Sequence, residues 1–449
     1  MEHKTKKPSV FYLIFKSYMR FFHDKIYYTK TYKINPEVIP ADGTPTLIVS
    51  NHQNCLNDPL GVLFTFRDRK PHFITRADVF ALHPIANKFL RSIGLLPAFR
   101  LEHEGESALG KNEETFKMTE QELVNGCTIM MYPESGHQDK RWLGNFSLGY
   151  VKLAFEAAEL SDFKTDIVLL PSCNHYSDYF GIQNEFMVKF GKPIHLKDFY
   201  ELYKTKPRTA QRQANALARE QIENLMLNIT DLDNYEAIDF LRDSYRQEYA
   251  KNHNLSTADL PSKLLVDKDF YSHLEDAKKS NSATISEIYN EAIQLRDGLK
   301  EARIDEQCLQ NKPSLLLNIL GLLLSVILFP VWIISLWPAG IQYLLPKLFG
   351  KSLDNMFQGT FLYALNILFF IPIFYLLSLI LIGIYINWWI ALIYVLLLPL
   401  ISLFAWYYRK YSLRFITNIR YGLYKNSDKI KNLSILRKTI HEQLNNILK

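Results

Sequence analysis

Two long stretches without a charged side chain lie near the C-terminus and limit what this chain can fold into. No Lys, Arg, Asp or Glu occurs in residues 313–346 or in residues 355–408. A helix that crosses a bilayer needs about 20 apolar residues. The two stretches therefore predict three membrane-length helices, over Leu315 to Trp337, Phe361 to Ile386 and Trp388 to Tyr407. A very hydrophobic soluble core is the alternative, and it explains three such segments poorly.

The positive charge is concentrated at the two ends of the chain. Residues 1–38 contain eight Lys or Arg against three acids, and residues 409–449 contain ten against two, although the whole chain has a net charge of only +6. Basic residues beside apolar segments mark the cytoplasmic, anionic face of a membrane. The charge therefore predicts membrane lipids as partners and no nucleic acid. We expect an integral membrane protein with the domain over residues 39–205 on the cytoplasmic face.

The same charge rule predicts a membrane topology. Three full crossings would put the basic residues 411–449 on the far side, against the positive-inside tendency. We therefore predict a spanning hairpin that turns at Asn387, a non-spanning segment over Leu315 to Trp337, and a cytoplasmic tail over 411–449. Gly321, Pro330 and Pro338 make that apolar segment a candidate for a bent, re-entrant or interfacial segment.

Before the apolar stretches, the chain divides by pattern into three further regions. Residues 1–38 predict a basic, aromatic helix over 8–34 at the membrane interface, or an ordinary helix packed on its own domain. Residues 39–205 alternate apolar runs with helical patterns, which is typical of an α/β domain. Strands are expected over Thr46–Val49, Cys127–Tyr132, Ile167–Leu170 and Phe186–Phe190, with a helix over 112–125 that Gly126 ends. Residues 206–312 predict a helical connector, and residues 313–410 the membrane region.

The four cysteines, Cys55, Cys127, Cys173 and Cys308, have no CxxC spacing. They indicate a reducing compartment and predict no metal site.

A histidine directly after the first predicted strand is the first candidate for catalysis. Six residues separate His52 from Asp58, about 600° of an α-helix, so the two cannot face each other on one regular helix. Pro59 favours a helix start at Asp58, and a strand, turn and helix would return the carboxylate to the imidazole. An aspartate on Nδ1 leaves Nε2 to take a proton from an alcohol.

Four short blocks follow in a fixed order and resemble the phospholipid/glycerol acyltransferase family, of the 1-acylglycerol-3-phosphate and glycerol-3-phosphate acyltransferase type. They are Asn51-His52 with five residues before Asp58, Gly94-Leu95-Leu96-Pro97-Ala98-Phe99-Arg100, Tyr132-Pro133-Glu134-Ser135-Gly136-His137, and Leu169-Leu170-Pro171-Ser172-Cys173-Asn174-His175-Tyr176. In order they span about 130 residues. Departures are Ser135 for the family's glycine, His137 for an arginine, and the five-residue spacing, which is closer to glycerol-3-phosphate acyltransferases.

The resemblance implies a fold, an activity and a set of site residues. The fold is an α/β acyltransferase domain, a mixed sheet flanked by helices over 39–205, followed by a helical region and C-terminal transmembrane helices. The activity is O-acyl transfer from acyl-CoA or acyl carrier protein to 1-acylglycerol 3-phosphate or glycerol 3-phosphate in phospholipid biosynthesis, with no cofactor. His52 and Asp58 are the catalytic candidates, and the substrate-binding candidates are Arg100, Glu134, Gly136, His137, Lys140 and Arg141.

Several alternatives to this assignment stay open. The acceptor could be a lyso-aminolipid or another lysophospholipid, and the domain could be an inactive membrane scaffold or lipid-binding protein. Glu134 could brace its loop instead of binding the acceptor. Cys55 next to His52 is the basis for a Cys–His nucleophile, although a single cysteine there is more often a small buried side chain.

Overall fold

The computed structural model describes residues 8–77, 80, 83–98, 107–134, 136, 140–179, 181–349, 363 and 366–448. Among these residues, those up to Asn228 form one compact unit and those from Ile229 onward form a second.

The first unit is built around a mixed sheet, as the sequence predicts. Its strands in the described residues are β1 (Tyr28–Ile34), β2 (Thr46–Ser50), β3 (His72–Arg76), β4 (Leu95–Ala98), β5 (Thr128–Met131), β6 (Val168–Tyr176), β7 (Asn184–Phe190) and β8 (Ile194–His195). The order is β1-β7-β6-β2-β5-β3-β4, and β8 also pairs with β6. β2 runs parallel to both β5 and β6, whereas β6 and β7 are antiparallel. All five residues of β2 are buried, as expected for a central strand covered on both faces.

Helices flank this sheet. They are α1 (Val10–Phe21), α2 (Asn57–Leu63), α3 (Pro84–Ser92), α4 (Ser107–Val124), α5 (Gly149–Leu160), α6 (Tyr200–Thr205) and α7 (Pro207–Leu225). In α7 the buried residues Ala210, Ala214, Ala218 and Ile222 recur every four positions and join the core on the sheet. The predicted connector begins at residue 206, so its first helix belongs to the sheet unit.

The N-terminal segment differs from the single helix predicted over residues 8–34. α1 ends at Phe21, a π-helical turn covers Phe22–Tyr27, and β1 then pairs in parallel with β7. Aromatic and β-branched side chains such as Tyr28 and Ile34 favour a strand. The helix prediction is therefore wrong for residues 28–34, which form the outer strand of the sheet.

Other element boundaries also shift. The helix predicted to begin at residue 112 begins at Ser107, and it ends as expected before Gly126, which has φ +87°. β6 continues to Tyr176, well beyond the predicted end at Leu170. β1, β3, β4 and β8 were not predicted.

The second unit is helical. Its described helices are α8 (Tyr235–Asn252), α9 (Leu260–Ser280), α10 (Ser282–Ala302), α11 (Glu306–Asn311), α12 (Leu315–Phe349), α13 (Ile371–Tyr385), α14 (Trp388–Tyr424) and α15 (Asp428–Ile447). Among the described residues, three segments are long and apolar enough to cross a membrane, namely Leu315–Gly340, Asn366–Tyr385 and Trp388–Tyr424. The three predicted membrane-length helices are therefore present, with shifted ends.

α12 lies antiparallel to α14 over a long contact. Near the start of α12, Asn418 Nδ2 donates to Asn318 Oδ1 at 2.8 Å. Further along, Tyr408 OH donates to Ser325 O at 2.6 Å, and the contact reaches Tyr394 OH, which donates to the Trp337 carbonyl at 3.0 Å. The start of α12 and the end of α14 consequently lie at the same end of this helix pair.

The break in the first apolar segment lies at the last of its three predicted positions. Helical backbone continues through Gly321 and Pro330, and the non-helical residue inside α12 is Trp337, directly before Pro338. Asn387 begins α14 as its N-cap, with Oδ1 accepting from Trp389 N at 2.8 Å, which closes a tight turn after α13.

Candidate active site

The chain reverses direction between the end of β2 and the start of α2. Asn57 N donates to Asn54 O at 2.9 Å, and Cys55 adopts a left-handed backbone with φ +41°. Such a conformation is unfavourable for a residue with a side chain and persists where its surroundings enforce it. The turn places Asp58 in the first turn of α2, as its second residue, because the N-cap is Leu56 and not Asp58 as predicted.

This turn brings the two predicted catalytic side chains together. His52 Nδ1 lies 2.7 Å from Asp58 Oδ2. The Asp58 side chain is fully buried, whereas that of His52 is 19% exposed. Because an ionised carboxylate only accepts hydrogen bonds, Asp58 holds the proton on Nδ1 and leaves Nε2 as the basic nitrogen.

Further donors fix the Asp58 carboxylate. The backbone N–H groups of Gln53 and Asn54 each donate to Oδ2 at 2.8 Å. On the other oxygen, Tyr176 OH donates to Oδ1 at 2.6 Å. Hydrogen bonds to the charged form of a buried acid offset its desolvation. The carboxylate therefore has a defined position before any substrate binds.

Glu134 joins this turn to a second loop. Its Oε1 accepts from His52 N at 2.8 Å, and its Oε2 accepts from Gly144 N at 2.7 Å. Burial raises the pKa of Glu134, and the two backbone N–H groups oppose that rise. Glu134 thus connects the backbone of the His52 turn to the backbone at Gly144, with one carboxylate oxygen bonded to each.

Two residues contribute in ways that the sequence reasoning missed. Tyr176 ends β6, which extends beyond its pairing with β2 at Ser172, and this extension carries the phenol to Asp58. The Tyr132 ring stacks on the His52 ring with centroids 4.0 Å apart and planes at 16°. Tyr132 and Tyr176 lie in the third and fourth blocks, so the block positions were the available signal.

Asn51 ties the end of β2 to β6. Its Nδ2 donates to Asn174 O at 3.0 Å, and its Oδ1 accepts from Asn174 N at 2.7 Å. Both asparagines are buried. The first and fourth blocks are therefore held together by a reciprocal pair of hydrogen bonds immediately beside His52.

The predicted phosphate contacts are only partly described. Arg100 and His137 lie outside the described residues. Gly136 is exposed, and a Cβ built there meets no atom within 4 Å. Lys140 is half-buried, and its carbonyl accepts from Gln53 Nε2 at 2.9 Å.

Arg141 is buried, unlike a cation on a solvent-exposed loop. Its Nη1 and Nη2 each lie 3.3 Å from the Tyr176 carbonyl oxygen and donate to it. The guanidinium also lies over the Tyr179 ring, 5.4 Å from its centroid. These contacts hold the end of β6, which carries the Tyr176 phenol to Asp58.

Comparison with known proteins agrees with the resemblance drawn from the four blocks. Residues 30–174 match the family model described as Acyltransferase, so this part of the chain is an acyltransferase domain. Among solved structures, the chain is similar to the 1-acyl-sn-glycerophosphate (LPA) acyltransferase PlsC from Thermotoga maritima. The identity is 15%, the match covers 46% of this chain and 79% of that chain, and the TM-score is 0.33. Comparison with curated proteins gives no match.

Proposed function

We propose that this protein transfers a fatty acyl group from acyl-CoA or acyl carrier protein to the hydroxyl of a glycerol-phosphate-type lipid precursor. The observation that carries the proposal is the 2.7 Å contact between His52 Nδ1 and Asp58 Oδ2 within a segment that matches acyltransferases. The membrane-length helices of the second unit support a lipid substrate.

The proposed reaction is direct transfer with His52 as general base. Nε2 takes the proton from the acceptor hydroxyl as its oxygen attacks the thioester carbonyl. The tetrahedral intermediate collapses, the carbon–sulfur bond breaks, and the thiolate leaves with the proton that the imidazolium returns. Asp58 stabilises the imidazolium while it exists. The proposal needs no prosthetic group or metal.

The acceptor's phosphate is assigned to Arg100, with His137, Lys140 and Arg141 as further candidates. A guanidinium offers a rigid pair of donors that matches phosphate oxygens better than an ammonium does. The neighbouring strands β2, β5, β3 and β4 all run parallel, so their carboxyl ends lie at the same edge of the sheet. Ala98, the last residue of β4, therefore lies at the edge where β2 also ends. This arrangement supports a phosphate position at the same edge as His52.

Glu134 is proposed as a positioning residue. Both of its oxygens accept backbone N–H groups. A carboxylate committed to two backbone donors has less capacity for substrate hydroxyls. The expectation that it also binds the acceptor remains a prediction, and the Glu134→Gln variant described below separates the two roles.

We further propose that the N-terminus, the acyltransferase domain and the C-terminal basic region all face the cytoplasm. The antiparallel contact of α12 with α14 supports a basic C-terminal region on the side where α12 begins. α12 from Leu315 to Trp337 is about 33 Å long at 1.5 Å per residue. It can therefore cross the bilayer, provided that the chain between Trp337 and Asn366 returns to the side on which α12 begins.

Thiol labelling tests this topology in sealed cells of a cysteine-free variant. Gln310→Cys and Lys425→Cys should both be protected from an impermeant reagent until the membrane is opened. Ile386→Cys, at the turn between α13 and α14, should react from outside. Labelling of residue 310 or 425 in sealed cells would contradict the proposal, as would protection of residue 386.

The reaction itself is tested with purified protein in detergent. Glycerol 3-phosphate, 1-acylglycerol 3-phosphate, a lysophospholipid and a lyso-aminolipid are offered in parallel with acyl-CoA and with acyl carrier protein, and products are identified by mass spectrometry. We expect an acylated glycerol-phosphate product that His52→Ala reduces by roughly 10²- to 10⁴-fold. A product only from a lyso-aminolipid or lysophospholipid would replace the acceptor, and no product from any pair would favour an inactive scaffold.

A further inference from the structure

A second group of chemically reactive side chains lies at the edge of the sheet opposite His52. His72 is the first residue of β3, Cys127 directly precedes β5, and Glu122 lies in the last turn of α4. β3 and β5 are parallel, so their starts are neighbours. His52 follows the carboxyl end of β2, which is parallel to β5. A strand of five residues is about 17 Å long, so the group is separate from the acyl-transfer site.

The three side chains converge on one point. A ring nitrogen of His72, Sγ of Cys127 and a carboxylate oxygen of Glu122 all lie within 4.8 Å of one another. Cys127 Sγ donates to Glu122 Oε2 at 3.1 Å. His72 Nδ1 is buried and has no hydrogen-bond partner among the described residues. A buried polar atom without a partner is uncommon and costs free energy, so a missing ligand would explain it.

The chemistry of the three groups is that of a zinc ligand set. Zn²⁺ binds imidazole nitrogen, thiolate sulfur and carboxylate oxygen at about 2.0–2.3 Å, and tetrahedral ligands then lie about 3.5 Å apart. Cys127 Sγ and Glu122 Oε2 already lie 3.1 Å apart, and no pair of the three ligand atoms is more than 4.8 Å apart, so His72 needs to approach by only about 1 Å to reach that spacing. We propose that His72, Glu122 and Cys127 form a binding site for Zn²⁺, with water in the fourth position.

Charge balance is compatible with this site. On binding, the Cys127 thiol loses its proton to solvent, and the resulting thiolate and the Glu122 carboxylate together neutralise the divalent ion. The Asp42 carboxylate lies close enough to Cys127 to add negative potential. The Lys70 ammonium, which lies near both His72 and Cys127, opposes binding.

Sequence spacing did not indicate this site because its ligands come from distant positions. His72 lies 50 residues before Glu122, and only Glu122 and Cys127 are close in sequence. An ion held there would tie the end of α4 to the starts of β3 and β5. It would thus stabilise the sheet without entering the proposed acyl transfer.

Cobalt binding tests the site on the full chain, purified in detergent and stripped of metal. Titration with Co²⁺ alone should produce a thiolate-to-cobalt charge-transfer absorption band at one ion per chain. Cys127→Ser should abolish the band, whereas the matched control Cys55→Ser should retain it. The affinity for Zn²⁺ is measured by how well Zn²⁺ displaces Co²⁺ from the site. His72→Gln should lower that affinity by more than the roughly 100-fold expected from loss of an outer-shell partner.

Thiol protection gives an independent measurement that does not depend on the folding of a Cys127 variant. Zn²⁺ should slow alkylation of Cys127 in the wild-type chain by at least about 10-fold and have little effect in His72→Gln, as followed by mass spectrometry of the Cys127 peptide. A cobalt band that survives Cys127→Ser, or equal alkylation with and without Zn²⁺, would overturn the proposal. Neither readout uses acyltransferase activity, so failure of the proposed function leaves this test intact.

Discussion

Replacing Asp58 by asparagine removes one negative charge from the proposed site and little else. The amide oxygen can keep the bonds from the N–H groups of Gln53 and Asn54, and the amide nitrogen can donate to the Tyr176 hydroxyl oxygen. The fold should therefore survive, with a melting temperature close to that of the wild type. What is lost is the ionised partner of the His52 imidazolium.

The size of the effect follows from the His52–Asp58 contact. Hydrogen bonds to charged groups contribute about 1.5–3 kcal/mol, which corresponds to roughly 10- to 150-fold in rate. Full loss of a general base typically costs about 10²- to 10⁴-fold. Since the imidazole itself remains, Asp58→Asn should lower kcat by roughly 100-fold, toward the lower end of that range, with little change in KM.

The chain offers a matched control for this experiment. His195 Nδ1 lies 2.7 Å from Asp166 Oδ2, the same atom pair and distance as at the proposed site, but near the start of β6. Steady-state kinetics of Asp166→Asn should match the wild type. If Asp58→Asn also kept kcat within about threefold of the wild type, far less than base catalysis supplies, Asp58 would have no part in the mechanism.

Three other substitutions, and one control, examine the surroundings of this pair. Glu134→Gln should lower the free energy of unfolding by about 1–3 kcal/mol in thermal denaturation, because its amide nitrogen would face a backbone N–H group; normal stability with a raised acceptor KM would instead make it a substrate ligand. Gly61→Ala should cost about 1–3 kcal/mol, because the added Cβ would overlap the ring of buried Phe186. Gly149→Ala, where a Cβ meets no atom within 4 Å, should be neutral, and equal melting temperatures of the two would refute the packing argument. Cys55→Ser should retain activity, whereas a loss of more than about 100-fold would favour a covalent cysteine mechanism.

The sequence predicted the local geometry of the His52 turn because steric rules constrain it tightly. A buried strand ends just before His52, and Pro59 favours a helix start at Asp58. These two constraints restrict the backbone conformations that residues 52–58 can adopt. Tyr176 could not be predicted as a partner of Asp58, since the contact depends on how far β6 extends past β2. Past Ser172, β6 pairs with β7 alone, and the contact between Tyr176 and Asp58 joins residues 118 positions apart, which no local pattern encodes.

The missed outer strands have a different cause. β1, β3 and β4 are four to seven residues long, and Pro97 within β4 argues against a strand in any local pattern. Their apolar and polar residues fit short helices or loops equally well. Tertiary pairing decided their conformation, and β1 in particular needed β7, which lies about 150 residues later.

The pairing of the apolar helices is likewise a tertiary feature that charge alone does not encode. Counting three apolar segments gave an odd number of crossings, so Leu315 to Trp337 was assigned to a non-spanning position. The contact between α12 and α14 supplies information that charge cannot, namely that the start of one helix meets the end of the other. The tail can then stay on the side where α12 begins, whether or not that helix crosses.

In the proposed reaction, chemistry and acceptor choice are assigned to different parts of the first unit. The ends of β6, β2 and β5 are neighbours in the sheet, and they supply Tyr176, the His52 turn and Glu134. Each polar group described there is held by another, so the base is in position without help from substrate. Selection of the acceptor then has to come from groups outside this network, of which Arg100 in the second block is the foremost candidate. Substitutions at Arg100 should accordingly change which acceptor is used, whereas substitutions at Asp58 should slow every acceptor alike.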